Sequence, residues 1–85
     1  MQMQETDVAN MIRNFVVETF GDDLKFENDT DLFELGLIDS LRVQELLTFM
    51  EEEFKITVPD HFFFDERFAH IEGQASIVLE LRDES

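Results

Sequence analysis

Between Ser40 and Phe54 the apolar residues Val43, Leu46, Leu47, Met50 and Phe54 recur three or four positions apart, while Glu45, Glu51, Glu52 and Glu53 lie largely on other faces. That spacing is the stripe of an amphipathic helix, about Ser40 to Phe54, which is apolar on one side and acidic on the other. A helix with one apolar stripe must cover it with something, so the rest of the chain has to supply packing partners.

The flanks supply them. Val8, Met11, Ile12, Phe15 and Thr19, widened by Val16 and Phe20, predict a first helix capped by Thr6 or Asp7 and ended by Gly21. Ala75, Ile77, Val78 and Leu81 predict a last helix of roughly Glu72 to Leu81, with the tail RDES fraying into solvent. Pro59 closes the short extended piece KITVP, because the residue before a proline is pushed out of the helical region. The aromatic stretch after it, His61 to Phe68, has room for only a short third helix. Three consecutive phenylalanines, Phe62 to Phe64, cannot all face inward on a helix, so at least one is expected in solvent, with core packing for the others and Phe68.

From Asp22 to Asp39 the periodicity lapses. A loop of that length is unusual in a compact domain unless it is packed, and Leu24, Phe26, Leu32, Phe33 and Leu35 are available to pin it, with a single helical turn over Asp31 to Leu35. The expected fold is an all-α four-helix bundle, three main helices plus a short third one, with a long loop between helices 1 and 2 and residues 1–85 forming one domain.

Eighty-five residues can bury one modest core but cannot build a catalytic cleft between domains. With 21 acidic against 6 basic residues the net charge is −15, which repels nucleic acid and anionic lipid and favours partners with basic patches. Such charge with few apolar residues would mean disorder, but 44% of the chain is hydrophobic and ten residues are phenylalanine, enough for a folded core whose self-repulsion makes it sensitive to salt and divalent cations. There is no cysteine, so no disulfide, thiolate zinc site or protein thiol is available. The N-terminus lacks signal-peptide character and no apolar run can span a bilayer, which makes a cytoplasmic, soluble monomer the expectation. The calcium-loop template begun at Asp29 fails at its fifth, sixth and twelfth positions, where Phe33, Glu34 and Ser40 stand. His61 and His70 have no partner cluster and read as surface or helix-end residues, so no metal site is expected.

Gly36-Leu37-Ile38-Asp39-Ser40-Leu41 places a serine where the central helix begins. Asp39 and Ser40 are good capping residues, and a hydroxyl there is also well placed to carry a phosphate, because a first helical turn offers unpaired N–H groups. Taken with Glu45-Leu46, Glu51-Glu52-Glu53-Phe54, Ile56 and the Val58-Pro59 step, this hexapeptide resembles the acyl and peptidyl carrier proteins, and the helical pattern on both sides extends the likeness over essentially the whole chain.

The resemblance implies that Ser40 receives the 4′-phosphopantetheine arm of coenzyme A, that acyl or aminoacyl groups ride on it as thioesters, and that the chain itself is no enzyme. It implies partners too: a phosphopantetheinyl transferase, an acyl- or aminoacyl-loading enzyme and a downstream synthase or transferase of fatty acid, polyketide, nonribosomal peptide or related biosynthesis. Asp39 would position Ser40 and meet the transferase or its magnesium. Leu41 would be read by partners, although it suits a core residue equally well. Arg42, Glu45, Thr48, Phe49 and Glu52 would form the recognition surface, with Glu51 and Glu53 adding to its acidity. Arg42, Thr48 and Phe49 depart from the usual fatty-acid carriers, whereas the Gly-Leu-Ile-Asp-Ser form and the phenylalanine-rich stretch look more like carriers of secondary metabolism, amino acids or D-alanine, in which Phe62, Phe63, Phe64 and Phe68 would line a pocket for the tethered chain or form a docking edge unless they serve the core. The rival reading is a non-catalytic acidic helical domain that binds a basic partner and carries no prosthetic group. A serine hydrolase is last, since no histidine or Gly-x-Ser-x-Gly elbow accompanies Ser40.

Overall fold

The computed structural model describes residues 4–21 and 25–84. Its elements are α1 (Glu5–Phe20), α2 (Leu32–Leu35), α3 (Ser40–Phe54), two 3₁₀ turns (Asp60–Phe64 and Glu66–Ala69) and α4 (Ile71–Glu84). The described residues are helical with no strand, so the all-α bundle expected from the sequence is the fold observed. α1 lies mainly against α4 and also against α3, and the second 3₁₀ turn packs on α4. No helix among the described residues is long and apolar enough to cross a membrane.

Several local expectations need correction. The cap of α1 is Gln4, not Thr6 or Asp7; Asp7 instead accepts the Gln4 N–H at 3.2 Å from inside the first turn. The short third helix is a pair of 3₁₀ turns, because Asp65 sits in extended backbone (φ −85°, ψ 130°) and interrupts it. On one continuous helix Phe62, Phe63 and Phe64 would fan over about 200°; with the break, Phe62 and Phe68 both turn inward while Phe64 is 89% exposed. α4 runs on to Glu84, through most of the tail expected to fray. Leu24, proposed as a loop anchor, lies outside the described residues.

The core draws Val8, Ile12 and Val16 from α1, Leu46, Met50 and Phe54 from α3, and Ile71, Ala75 and Val78 from α4. The long loop is packed, as Phe26, Leu32, Leu37 and Ile38 are all buried. Two arginines fasten it. Arg13 sends Nη1 to Asn28 Oδ1 at 2.8 Å and Nη2 to the Phe26 carbonyl, with its guanidinium over the Phe26 ring. Arg42 sends Nη1 to the Leu37 carbonyl at 2.8 Å and lies over Phe20. α2 ends at Gly36, whose φ of 82° belongs to the left-handed region that glycine adopts without a side-chain clash. That reversal lets the Leu37 and Ile38 N–H groups both donate to the Leu32 carbonyl while their side chains enter the core.

A third arginine holds the 3₁₀ segment to α4: Arg67 pairs with Asp65 at 2.9 Å and with Glu80 at 3.1 Å. The hydrogen bonds that Asp65 accepts from the Arg67 side chain and backbone N–H hold its carboxyl below the ordinary value of 3.8. A carboxyl whose folded value is depressed stabilises the fold at neutral pH, and that contribution fades as pH falls through the depressed value. Asp65→Asn is therefore expected to flatten the acid limb of the stability–pH curve below about pH 4, measured by urea unfolding at stepped pH.

Candidate functional site

The Gly36 turn and the buried pair Leu37–Ile38 deliver the next residue, Asp39, to the start of α3 in an extended conformation (φ −144°, ψ −172°). Its carboxylate accepts the N–H groups of Leu41 at 3.1 Å and Arg42 at 2.9 Å, and its carbonyl accepts that of Val43 at 2.9 Å. Asp39 is thus the N-cap, and its side chain satisfies two of the four amides left open at the helix start, the Val43 bond being the first of the helix ladder itself. The array of unpaired donors expected to receive a phosphate reduces to the N–H groups of Asp39 and Ser40.

Ser40 is the first helical residue and is exposed. Its hydroxyl makes no hydrogen bond to the described residues, so it stands exposed without a structural duty. Beside it opens a cavity of about 530 Å³ lined by Phe33, Ile38, Val43, Phe63 and Phe68, with Asp39, Ser40 and Gln44 at the polar side. The wall is assembled from α2, the start of α3 and the 3₁₀ segment, so Phe63 and Phe68 of the aromatic stretch line it while Phe33 joins from the long loop, where local sequence marked it only as an anchor. No base stands ready to make Ser40 a nucleophile by itself: His61 is exposed, and His70 uses Nδ1 to accept the Gly73 N–H at 2.9 Å, capping α4.

The other residues singled out in the sequence divide into two groups. Leu41 is 74% exposed, which overturns the reading of it as a core residue; it lies about 200° round α3 from the buried Val43 and so falls on the outer face. Arg42 is turned inward onto the loop. Glu45, Thr48, Phe49 and Glu52 come together with Phe15 and Thr19 of α1 around a second hollow of about 380 Å³. The periodicity had assigned Phe15 and Thr19 to the packing face of α1; Thr19 is in fact exposed. Glu51 has a local duty, its Oε2 accepting the Val58 N–H at 2.8 Å and so bracing the extended piece after α3.

Comparison with known proteins places this geometry. The family described as "Phosphopantetheine attachment site" matches residues 11–72, a span that includes α3, the loop before it and the 3₁₀ segment after it. The chain is 42% identical over 53 residues to a D-alanyl carrier protein of Streptococcus suis, covering 62% of this chain and 67% of that one. It is 36% identical over 53 residues to a D-alanyl carrier protein of Streptococcus mutans, at 62% and 67% coverage. A D-alanyl carrier protein of Bacillus licheniformis is 41% identical over 54 residues, at 62% and 69%. The family match covers most of the chain, and these relatives agree with it: this chain belongs to the phosphopantetheine-binding acyl and peptidyl carrier proteins, a non-catalytic family whose prosthetic group is 4′-phosphopantetheine.

Proposed function

We propose that Ser40 bears the 4′-phosphopantetheine arm and that the loaded chain carries a small aminoacyl group, with D-alanine the first candidate. The observation that carries the reading is the outward Ser40 hydroxyl beside the apolar cavity, at a helix start already capped by Asp39. When bound, the arm supplies the thiol that this cysteine-free chain lacks. The protein's own residues hold the site rigid: Asp39 fixes the first turn of α3, and Phe33 and Phe63 offer an apolar wall. The wall suits the uncharged part of a tether and disfavours an ammonium, whose burial without a partner is costly. A small amino acid at the end of the arm would therefore remain in water, within reach of a partner.

The D-alanine assignment rests on the names of the relatives at 36–42% identity. We place the chain in the cytoplasm as a single-domain monomer that is a substrate for a phosphopantetheinyl transferase, an aminoacyl-loading enzyme and a downstream transferase. Asp39 and Leu41 adjoin Ser40 and are the residues the first of these would touch.

The test has two stages. Incubation with coenzyme A, magnesium and a broad-specificity transferase is expected to add roughly 340 Da, the mass of the arm, mapped by peptide mass to the segment containing Ser40. The holo chain is then offered to an enzyme that adenylates D-alanine, with L-alanine and a fatty acid and its own activating enzyme in parallel. Selective gain of D-alanine as a hydroxylamine-labile adduct supports the cargo. Equal loading by the fatty acid overturns it, and no arm under conditions that modify another carrier overturns the whole reading.

A further inference from the structure

Ser40 and Gln44 are four residues apart on α3, so they stand one above the other on the same face, and both line the 530 Å³ cavity. Gln44 is exposed, and its carboxamide makes no hydrogen bond to the described residues; its backbone carbonyl accepts the Thr48 hydroxyl at 3.0 Å. Asp39, the other polar neighbour of Ser40 there, is an acceptor whose Oδ1 is already spent on the Leu41 and Arg42 amides. The rest of the lining is apolar and held in place. Phe63 and Phe68 stack with centroids 5.6 Å apart and planes 14° from parallel. The Phe68 backbone is fixed on both sides, its N–H donating to the Asp65 carbonyl at 2.9 Å and its carbonyl accepting from Nε2 of the buried Gln74 at 2.9 Å. Once Ser40 Oγ is esterified, the Gln44 amide is the one side-chain hydrogen-bond donor among the residues that line this preformed hollow.

The arm has the complementary chemistry in a complementary order. From its phosphate outward it carries a gem-dimethyl group, a hydroxyl and a first amide, then a second amide and the terminal thiol. The branched hydrocarbon next to the phosphate gains from apolar walls, and the amide that follows it gives up water on entering and needs a partner. A trans amide points its N–H and its C=O to opposite sides, so one side chain serves only one of them. The Asp39 carboxylate and the arm's own phosphate can accept but not donate, which leaves the amide carbonyl as the group in need of Gln44. We infer that Gln44 is an arm-binding residue: its carboxamide nitrogen donates to the first amide carbonyl of the arm, holds the gem-dimethyl group against Phe33 and Phe63, and leaves the second amide and the thiol free to reach a partner. The inference rests on the carrier reading, because it needs the arm on Ser40.

The experiment compares isotope-labelled apo and holo forms of the full chain by NMR, after intact-protein mass has shown the arm in place. Attachment is expected to shift the side-chain amide protons of Gln44 and to produce cross-relaxation peaks between the gem-dimethyl protons and the rings of Phe33 and Phe63. Gln44→Leu keeps helix propensity at an exposed position, so the fold is not at risk. It is expected to weaken those peaks by about threefold to tenfold, the population change that loss of one hydrogen bond brings. Gln44→Glu keeps the shape but offers only acceptors at neutral pH, and is expected to weaken them at least as much. An unmoved Gln44 amide in the holo chain, or ring contacts undiminished in Gln44→Leu or Gln44→Glu, would overturn the inference and leave the carrier reading standing. A chain that takes no arm under conditions that modify another carrier overturns both.

Discussion

Ser40→Ala is expected to eliminate arm attachment completely while shifting the thermal midpoint by no more than about 2 °C, in line with the small effect of most exposed substitutions. The two halves of that result come from one geometry. The hydroxyl is exposed and makes no hydrogen bond to the described residues, so its loss leaves no buried group unpaired. The cap of α3 is the neighbouring carboxylate, so helix initiation survives, and alanine is the best helix former at the vacated position. Asp39→Ala gives the contrasting pattern: loss of the cap is expected to cost about 1 kcal/mol of stability, with arm attachment slowed and not eliminated. Intact-protein mass and thermal melts on the two variants separate the chemical role from the structural one. Full attachment to the Ser40→Ala chain would refute the assignment of that serine.

The largest structural effect is expected at Gly73, on the first turns of α4. A Cβ built there would stand 2.0 Å from the Arg67 carbonyl oxygen and 2.5 Å from its Cα, so the obstacle is backbone. That backbone cannot give easily. Arg67 donates its N–H to Asp65 at 2.9 Å, and the buried Gln74 donates from Nε2 to the next carbonyl, Phe68, at 2.9 Å. Gly73→Ala should gain about 1 kcal/mol of helix propensity and lose more through overpacking. A net loss of about 2 to 3 kcal/mol is expected, lowering the melting temperature by on the order of 10–20 °C. Because Phe68 is both a core residue and a wall of the cavity beside Ser40, the same variant should disturb that wall, visible as changed aromatic shifts. A more stable Gly73→Ala chain would mean that the 3₁₀ segment does not lie against α4 as described.

These residues also mark where sequence reasoning succeeds and stops. α3 was legible from Ser40 to Phe54 because a one-sided stripe, a capping aspartate and a following Val-Pro step agree with one another. The single turn of α2 was legible over Asp31 to Leu35 from its apolar residues, and the structure adds that Asp31 is its cap. Gly73 carried no readable signal, since a glycine inside a helical pattern usually argues only for lower propensity; its reason is a neighbour that approaches in space from six positions earlier. The split of the aromatic stretch depended on Asp65 capping Arg67, a local bond competing with helix that aspartate offers at many positions. Leu41 was misjudged because leucine type says nothing about which side of α3 it occupies, whereas its 74% exposure follows from standing two residues before the buried Val43, about 200° round the helix from the packed stripe. Both hollows join residues far apart in the chain, and no single-sequence pattern brings Phe15 to Phe49 or Phe33 to Phe63.

The arginine clamps make the fold's few cations harder to replace than their charge suggests. Arg13 divides its guanidinium between Asn28 and the Phe26 carbonyl, and Arg67 divides its own between Asp65 and Glu80. A lysine would preserve the formal charge at either place and could not span both acceptors from one nitrogen in a fixed plane. Each clamp is thus a two-point fastener, and a substitution that is neutral in charge would turn it into a hinge, freeing the loop before α2 in one case and the wall of the Ser40 cavity in the other.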